Sequence, residues 1–401
     1  MKITSVECYL GYAINIKINT DAGISGYGEA GLKYGNSRRA AFGQCQDFAK
    51  LIIGMDPTKT EQIWDHLHRH TFWGMGGGAV IMSGISAIDI ACWDIKGKAL
   101  GVPVYELLGG KTRDAARCYA SQLQFGWREA KAAESRNPGM RTVLYDPDEY
   151  YAVVKEAAAD GYDAVKIDPV FAPAKRLDDT TELFRNQGTH HRGCYKNSEL
   201  RCAVERIAAA REAGGEDMDI IVELHSLLDA NTAAELALAL EPYRIMYYEE
   251  PTQPMNSALF SSLAAKTSIP LAAGERLYGR WAYRPFFEDR SLGIIQPDVC
   301  NTGGISETKK ICDMAHVYDI GVQIHVCGGP IATAAALQLE AVIPNFVIHE
   351  QHVGAFRPKC IASCVYDDQP AMGSFIIPDR PGIGQELSEA ELASAEKAII
   401  C

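Results

Sequence analysis

The stretch Ile220–Leu277, IIVELHSLLDANTAAELALALEPYRIMYYEEPTQPMNSALFSSLAAKTSIPLAAGERL, carries the rhythm that decides the fold. A short apolar run ends in Glu223, a helix-like stretch follows over Ala230–Leu240, and a second apolar run, Met246–Glu250, ends in glutamate again. A further helix-like stretch, Ser257–Lys266, leads to a third run, Pro270–Glu275. Buried parallel strands read as continuous apolar runs, and the helices between them return the chain to the same edge of the sheet. The interval from Glu223 to Glu249 equals that from Glu249 to Glu275, so each glutamate holds the same station on successive strand–helix units.

The alternation extends in both directions from this stretch. Strand-like runs lie at Cys118–Gln124, Ala164–Asp168, Ile220–His225, Ile294–Asp298, Val322–Val326 and Phe346–Glu350 in addition to the two above, and helix-like stretches at Pro147–Asp160, Glu199–Ala213, Tyr283–Asp289, Ser306–Tyr318 and Ile331–Val342 complete the set. Eight short apolar strands separated by seven helices predict an α/β chain folded as a parallel barrel closed by an eighth strand. Before about residue 113 the rhythm differs. Ile3–Tyr9 and Ala13–Asn19 are strand-like, with Asp21-Ala22-Gly23 as a turn, and helices are expected at Arg38–Ile53 and Ile81–Leu100. In the second helix Ile81, Ile85, Ile88, Cys92, Ile95 and Ala99 recur at helical spacing until Gly101-Val102-Pro103 stops it. The segment 171–198, with Pro173, Gly188 and Gly193 among many polar residues, reads as a functional loop insertion.

Barrel active sites lie at the carboxyl ends of the strands. Those ends carry Lys166 and Asp168, Glu223 and His225, Glu249 and Glu250, Glu275 and Arg276, Asp298, His325 and Glu350. Burying several ionised carboxylates together is costly unless a cation compensates, and salt bridges to Lys166, Arg276 or Arg280 are the structural alternative. Glu223, Glu249 and Glu275 make a hard, oxygen-rich set that suits Mg²⁺ better than zinc. Glu250 points to the other side of its strand from Glu249, whereas Glu223 and His225, two apart, share a face. Asp298 and His325 end neighbouring strands, where an aspartate can orient an imidazole. The two histidines stand four strands apart around the ring and face a substrate from opposite sides.

These residues resemble the enolase superfamily, and within it the mandelate racemase-like acid-sugar dehydratases. The carriers are SAIDIACWDIKGKALGVPVYELLGG (Ser86–Gly110), the strand ends VELH, YYEEP and GERLYGRW, then IIQPDVCNTGGI and HVCGGPIA. The resemblance implies a (β/α)7β modified TIM barrel with an N-terminal α+β capping domain over residues 1–112, a barrel over 113–370, and a segment 371–401 returning to the cap. It implies Glu223, Glu249 and Glu275 as Mg²⁺ ligands, Asp298 and His325 as the catalytic dyad, Glu350 beside the substrate carboxylate, and His225 in the place of the general acid of galactonate dehydratases. The reaction implied is proton abstraction next to a carboxylate followed by loss of water from a sugar acid, with a 2-keto-3-deoxy acid as product. Lys166 and Arg276 would balance charge near the carboxylate. Lys33 and Tyr34 in Gly31–Gly35, and Trp73 in Phe72–Gly78, would close over the ligand.

The chain departs from that pattern in places. Many relatives have Lys-x-Lys where this chain has Lys166-Ile167-Asp168, which leaves His225 as the group opposite His325. The first metal ligand is glutamate where galactonate dehydratases have aspartate, and the 171–198 insertion, with Arg185, Arg192 and Tyr195, is closer in character to mannonate dehydratase-like members. A racemase, epimerase or cycloisomerase on the same scaffold shares the first step, and a non-catalytic sugar-acid-binding regulatory protein is the other alternative.

Composition narrows the field further. With 47% apolar and 22% charged residues the chain is globular. Fifty-one acidic against 39 basic side chains, a net charge of −12, disfavour nucleic-acid and anionic-membrane partners. The twelve cysteines show no Cys-x-x-Cys spacing and, with Glu7 where an export signal needs apolar residues, read as reduced thiols in a cytoplasmic protein. The family resemblance adds the expectation of a homo-oligomer.

Overall fold

The computed structural model describes residues 1–127, 143–175 and 193–401. Its first region is an antiparallel sheet of β1 (Ile3–Leu10), β2 (Ile14–Thr20) and β3 (Ser25–Ala30), packed on helices Arg38–Ile52 and Ala79–Leu100. In β2 the isoleucines 14, 16 and 18 alternate with Asn15, Lys17 and Asn19, and the isoleucines enter one core with Ile85, Ile88 and Ile95 of the long helix. β3 lies against that helix so closely that a Cβ at Gly28 would stand 1.9 Å from the Ala87 carbonyl oxygen, and one at Gly26 2.3 Å from that of Ala91. The long helix ends at Gly101, whose φ of 71° gives the left-handed cap.

Eight parallel strands follow: β4 (Ala115–Ser121), β5 (Ala164–Ile167), β6 (Asp219–Glu223), β7 (Tyr247–Glu249), β8 (Leu271–Ala273), β9 (Ile294–Ile295), β10 (Gly321–Val322) and β11 (His349–His352). They run side by side in the order β10-β9-β8-β7-β6-β5-β4-β11, and a parallel bridge between Val322 and Phe346 joins the two ends. The chain is therefore a modified TIM barrel with an N-terminal cap. Helices Pro147–Ala159, Asn197–Gly214, Ala230–Leu240, Ser257–Ala264, Arg280–Glu288, Gly304–Val317 and Pro330–Glu340 wrap it.

The strands stop short of the expected ends. Expected strands ran through His225, Glu250, Glu275, Asp298 and Val326, but the ladders end at Glu223, Glu249, Ala273, Ile295 and Val322. After β6 and β7 the physical reason is local: His225 and Glu250 take left-handed φ values of 46° and 42°, and the Glu223 and Glu250 carboxylates accept from the His225 amide and the Ser226 hydroxyl, while beyond β9 and β10 the pairing continues only as a bridge between Asp298 and His325. Helix Thr60–Arg69 was not anticipated. Two of its buried positions are Trp64 and His68, which stack on each other at 4.6 Å, and His68 stacks on Trp281 of the barrel at 5.0 Å.

Buried polar contacts lock the cap to the barrel at the start of helix Gly304–Val317. Ser86 Oγ accepts from the Gly303 and Gly304 amides at 2.9 and 3.0 Å, and Asp89 accepts from the Ser306 amide at 2.9 Å and its hydroxyl at 2.6 Å. Capping from another element supplies partners that a helix start lacks. The carboxyl-terminal segment serves both regions: β12 (Ser374–Ile376) pairs antiparallel with β4, and β13 (Glu396–Ile400) pairs antiparallel with β1. Among the described residues no helix is long and apolar enough to cross a membrane.

Candidate active site

Side chains two apart on a strand share a face, and the barrel interior makes this visible. Ala164, Ile221 and Tyr247 pack together inside the barrel, and two positions on from each come Lys166, Glu223 and Glu249. One more step beyond β5 and β6 gives Asp168 and His225. Apolar inward positions thus give way to charged ones at the carboxyl end.

Lys166 stands at the centre of the first cluster, fully buried. Its Nζ lies 3.0 Å from both Glu249 oxygens, 3.0 Å from Glu350 Oε1 and 3.5 Å from Glu223 Oε2. Burial opposes its charge, but the Glu249, Glu350 and Glu223 carboxylates outweigh that and hold its pKa well above the usual lysine value. Glu249 is pushed up, by burial and then by the charge of Glu223, its register neighbour on β6. Glu350 also accepts from Ser121 Oγ at 2.6 Å and the Val326 amide at 2.9 Å. Burial works against it too, yet Lys166 and the neighbouring imidazoles hold it down at about 2.

The second cluster surrounds His325. Its Nδ1 is 2.8 Å from Asp298 Oδ2 and its Nε2 is 2.9 Å from Glu275 Oε2. Burial disfavours the imidazolium, but Glu275 and Asp298 together raise its pKa well above the ordinary histidine value. Arg276 bridges Glu275 (3.1 Å), Glu250 (3.2 Å) and the carbonyl of His225 (3.3 Å), so its guanidinium clamps protein groups. Across the mouth, His225 Nδ1 is 2.6 Å from Asp168 Oδ2, and its amide donates to Glu223 Oε1 at 2.7 Å.

The charge inventory tests whether a divalent cation fits. Glu223, Glu249, Glu250, Glu275, Glu350, Asp168 and Asp298 gather here, all but Glu275 buried by residue, against the fixed cations Lys166 and Arg276. An excess of hard oxygen donors is the chemistry that suits Mg²⁺. The arrangement itself is divided: Glu223 and Glu249 turn to Lys166 while Glu275 turns to His325 and Arg276, and among the described residues no three such groups surround a common point. A cation bound by all three would have to draw them from these partners.

The structure thus brings together His325, Asp298, His225, Glu223, Glu249, Glu275, Glu350, Lys166 and Arg276. Tyr34 is near the rim, its ring 6.1 Å from that of His352 just past Glu350, and Lys33 Nζ donates to the Gly328 carbonyl at 3.0 Å. Trp73 is not brought in: it is 73% exposed, with its ring edge against Phe72. Of the insertion residues, Tyr195 donates to the Val170 carbonyl at 3.2 Å, and Arg185 and Arg192 lie outside the described residues. Two groups went unforeseen. In the sequence Asp168 stands out only as a strand end, though an aspartate one strand before a histidine is the relation that points to Asp298 and His325. Cys327 lies between His325 and His352; burial opposes its ionisation, but the two imidazoles bring its thiol down to about 6.

Comparisons with known proteins agree with this fold. Residues 149–391 match the enolase C-terminal domain-like family, and residues 6–109 match the mandelate racemase / muconate lactonizing enzyme N-terminal domain. D-galactonate dehydratase of Pectobacterium atrosepticum is 35% identical over 97% of this chain and 93% of its own length. The enzyme of that name from Variovorax paradoxus is 34% identical over 99% and 95%. A solved member of the enolase superfamily from Salmonella Typhimurium superposes with a TM-score of 0.92 at 46% identity, over the whole of both chains.

Proposed function

The chain belongs to the enolase superfamily, in its mandelate racemase / muconate lactonizing enzyme branch of acid-sugar dehydratases, and from that premise we propose a Mg²⁺-dependent dehydration of a hexonate or pentonate to a 2-keto-3-deoxy acid. The observation that carries the reading is one carboxylate at or just past the end of each of three adjacent strands, Glu223, Glu249 and Glu275, flanked by two imidazoles that each rest on an aspartate.

The obstacle to such a reaction is charge, because a proton must leave the carbon next to a group already ionised. Mg²⁺ held by Glu223, Glu249 and Glu275 would supply electrostatic stabilisation of the substrate carboxylate as that charge develops; superfamily sites of this kind are a worked case of that logic. The chain's own residues do the rest. Asp298 engages Nδ1 of His325 and so presents Nε2 as the base, once its contact with Glu275 opens. His225, presenting Nε2 from the opposite side, delivers a proton to the departing hydroxyl. Lys166 and Glu350 together fix the floor against which the substrate carboxylate rests, while Arg276 holds Glu275 and Glu250 in place. Tyr34 and Trp73 are assigned to the cap side of the ligand, Trp73 by closing of the Phe72–Gly78 segment over it.

Epimerisation is the second reading, favoured by the presence of an oriented imidazole on each side. A library of sugar acids incubated in D₂O with and without Mg²⁺ separates the two. Mg²⁺-dependent keto acid establishes dehydration, and deuterium at the α-carbon without keto acid establishes epimerisation. Neither signal would leave a binding protein that has lost the chemistry.

A further inference from the structure

We propose that Asp168 is a positioning residue that sets His225 for proton delivery, so that the site holds two His–Asp dyads dividing the reaction between them. The inference rests on the dehydratase reading above. The same contact stands at both sites: Nδ1 to Oδ2 is 2.6 Å in Asp168–His225 and 2.8 Å in Asp298–His325. In each pair the aspartate follows one strand (β5, β9) and the histidine follows the next (β6, β10). Asp168 is fully buried and its second oxygen is occupied, Oδ1 accepting from the Val170 amide at 3.0 Å. Its carboxylate therefore cannot swing away from the imidazole without breaking a loop contact.

The backbone beneath the ring is fixed as firmly. His225 and Ser226 are consecutive non-glycine residues in the left-handed region, at φ 46° and 58°. Such conformations persist where surroundings over-determine them. Here the His225 amide is held by Glu223, its carbonyl by Arg276, and the Ser226 amide donates to the Glu250 carbonyl at 2.8 Å. An imidazole whose Nδ1 donates to Asp168 offers Nε2, and no other ring nitrogen, to a ligand.

The reaction then splits into two halves. In one, His325 takes the α-proton. In the other, the bond from the neighbouring carbon to its hydroxyl oxygen breaks, the oxygen keeps that electron pair and takes the proton from His225 Nε2, and the pair left at the α-carbon becomes the double bond of an enol, which gains a proton at the neighbouring carbon and loses one from its α-hydroxyl to give the 2-keto acid. Asp168 acts on the second half alone.

Asp168→Asn, checked for native circular dichroism, is expected to keep α-proton exchange in D₂O within a few-fold of wild type while keto acid formation falls about 100-fold or more. The 3-deoxy-3-fluoro analogue of the preferred acid needs no proton to release its leaving group, so the variant should release fluoride nearly as fast as wild type. Loss of exchange and fluoride release together with dehydration would mean a structural role and overturn the inference. Should the variant not fold, the wild-type protein still decides: with ¹⁵N-labelled histidine, His225 is expected to show a low-field Nδ1–H resonance that vanishes in His225→Gln. Absence of that resonance overturns the proposal. Wild type that neither exchanges nor eliminates on any sugar acid would instead remove the dehydratase reading, and this inference with it.

Discussion

The Lys166 ammonium lies 3.0 Å from each carboxylate oxygen of Glu249, out of reach of water inside the barrel. One lysine thus answers three carboxylates, since Glu350 and Glu223 also close on it at 3.0 and 3.5 Å. A buried pair of this kind is weak evidence for stability in itself, but removing one partner leaves uncompensated charge.

Lys166→Met should therefore destabilise the protein by about 3–5 kcal/mol in EDTA. Saturating Mg²⁺ should recover much of that loss, because a divalent ion on Glu223 and Glu249 supplies the missing counter-charge. Thermal unfolding with and without Mg²⁺ reads the difference. An equal deficit under both conditions would show that these glutamates do not share a cation.

Glu249→Gln tests the same site from the ligand side. The amide keeps the size of the side chain and removes its charge, so Mg²⁺ affinity and turnover should fall together. Unchanged affinity, measured by calorimetry, would take Glu249 out of the ligand set.

Most of this architecture is legible in the chain because barrel strands are apolar and the repeat is even. The stations of Glu223, Glu249 and Glu275 follow from that regularity alone. What escaped depends on contacts between distant segments. His225 and Asp168 are 57 residues apart with the 171–198 insertion between them, whereas His325 and Asp298 are only 27 apart, so the second dyad was visible and the first was not. Nor does a local pattern announce that Arg276 turns inward to clamp Glu250 and the His225 carbonyl, and the return of the last strand to the first is expected from the family resemblance alone.

That last pairing should depend on pH. Lys397 of β13 reaches Glu7 of β1, which also accepts from Tyr9 at 2.5 Å and Asn19 at 2.8 Å. Burial works against the Glu7 carboxylate, but Lys397 and these donors hold it at about 2, below its ordinary 4.5. A depressed acid stabilises the fold above its ordinary value, and that contribution is lost as pH falls from 4.5 towards 2. Amide exchange at residues 396–400, corrected for its intrinsic pH dependence, should rise across that window. Glu7→Gln should remove the step.

Gly28→Ala probes the packing of the cap. The added methyl would sit 1.9 Å from the Ala87 carbonyl oxygen, which belongs to a helix anchored on the barrel through Ser86 and Asp89. The strand has to move as a whole, at a cost of about 3 kcal/mol. Equilibrium unfolding checks the figure, and a neutral effect would mean that sheet and helix are looser than this contact implies.

His325→Asn separates the base from the metal. Asparagine can still face Asp298 but cannot take up a proton, so α-proton exchange in D₂O should fall by about 10²–10⁴-fold. Mg²⁺ affinity should hold within a few-fold, because His325 touches Glu275 at 2.9 Å without being counted among the ligands. The two measurements must be made on one sample. Exchange that continues with Mg²⁺ bound would hand the base to another residue, and His225, the other oriented imidazole, is the one to replace next. Loss of both would show that the contact with Glu275 is part of what holds the metal-binding carboxylates in place.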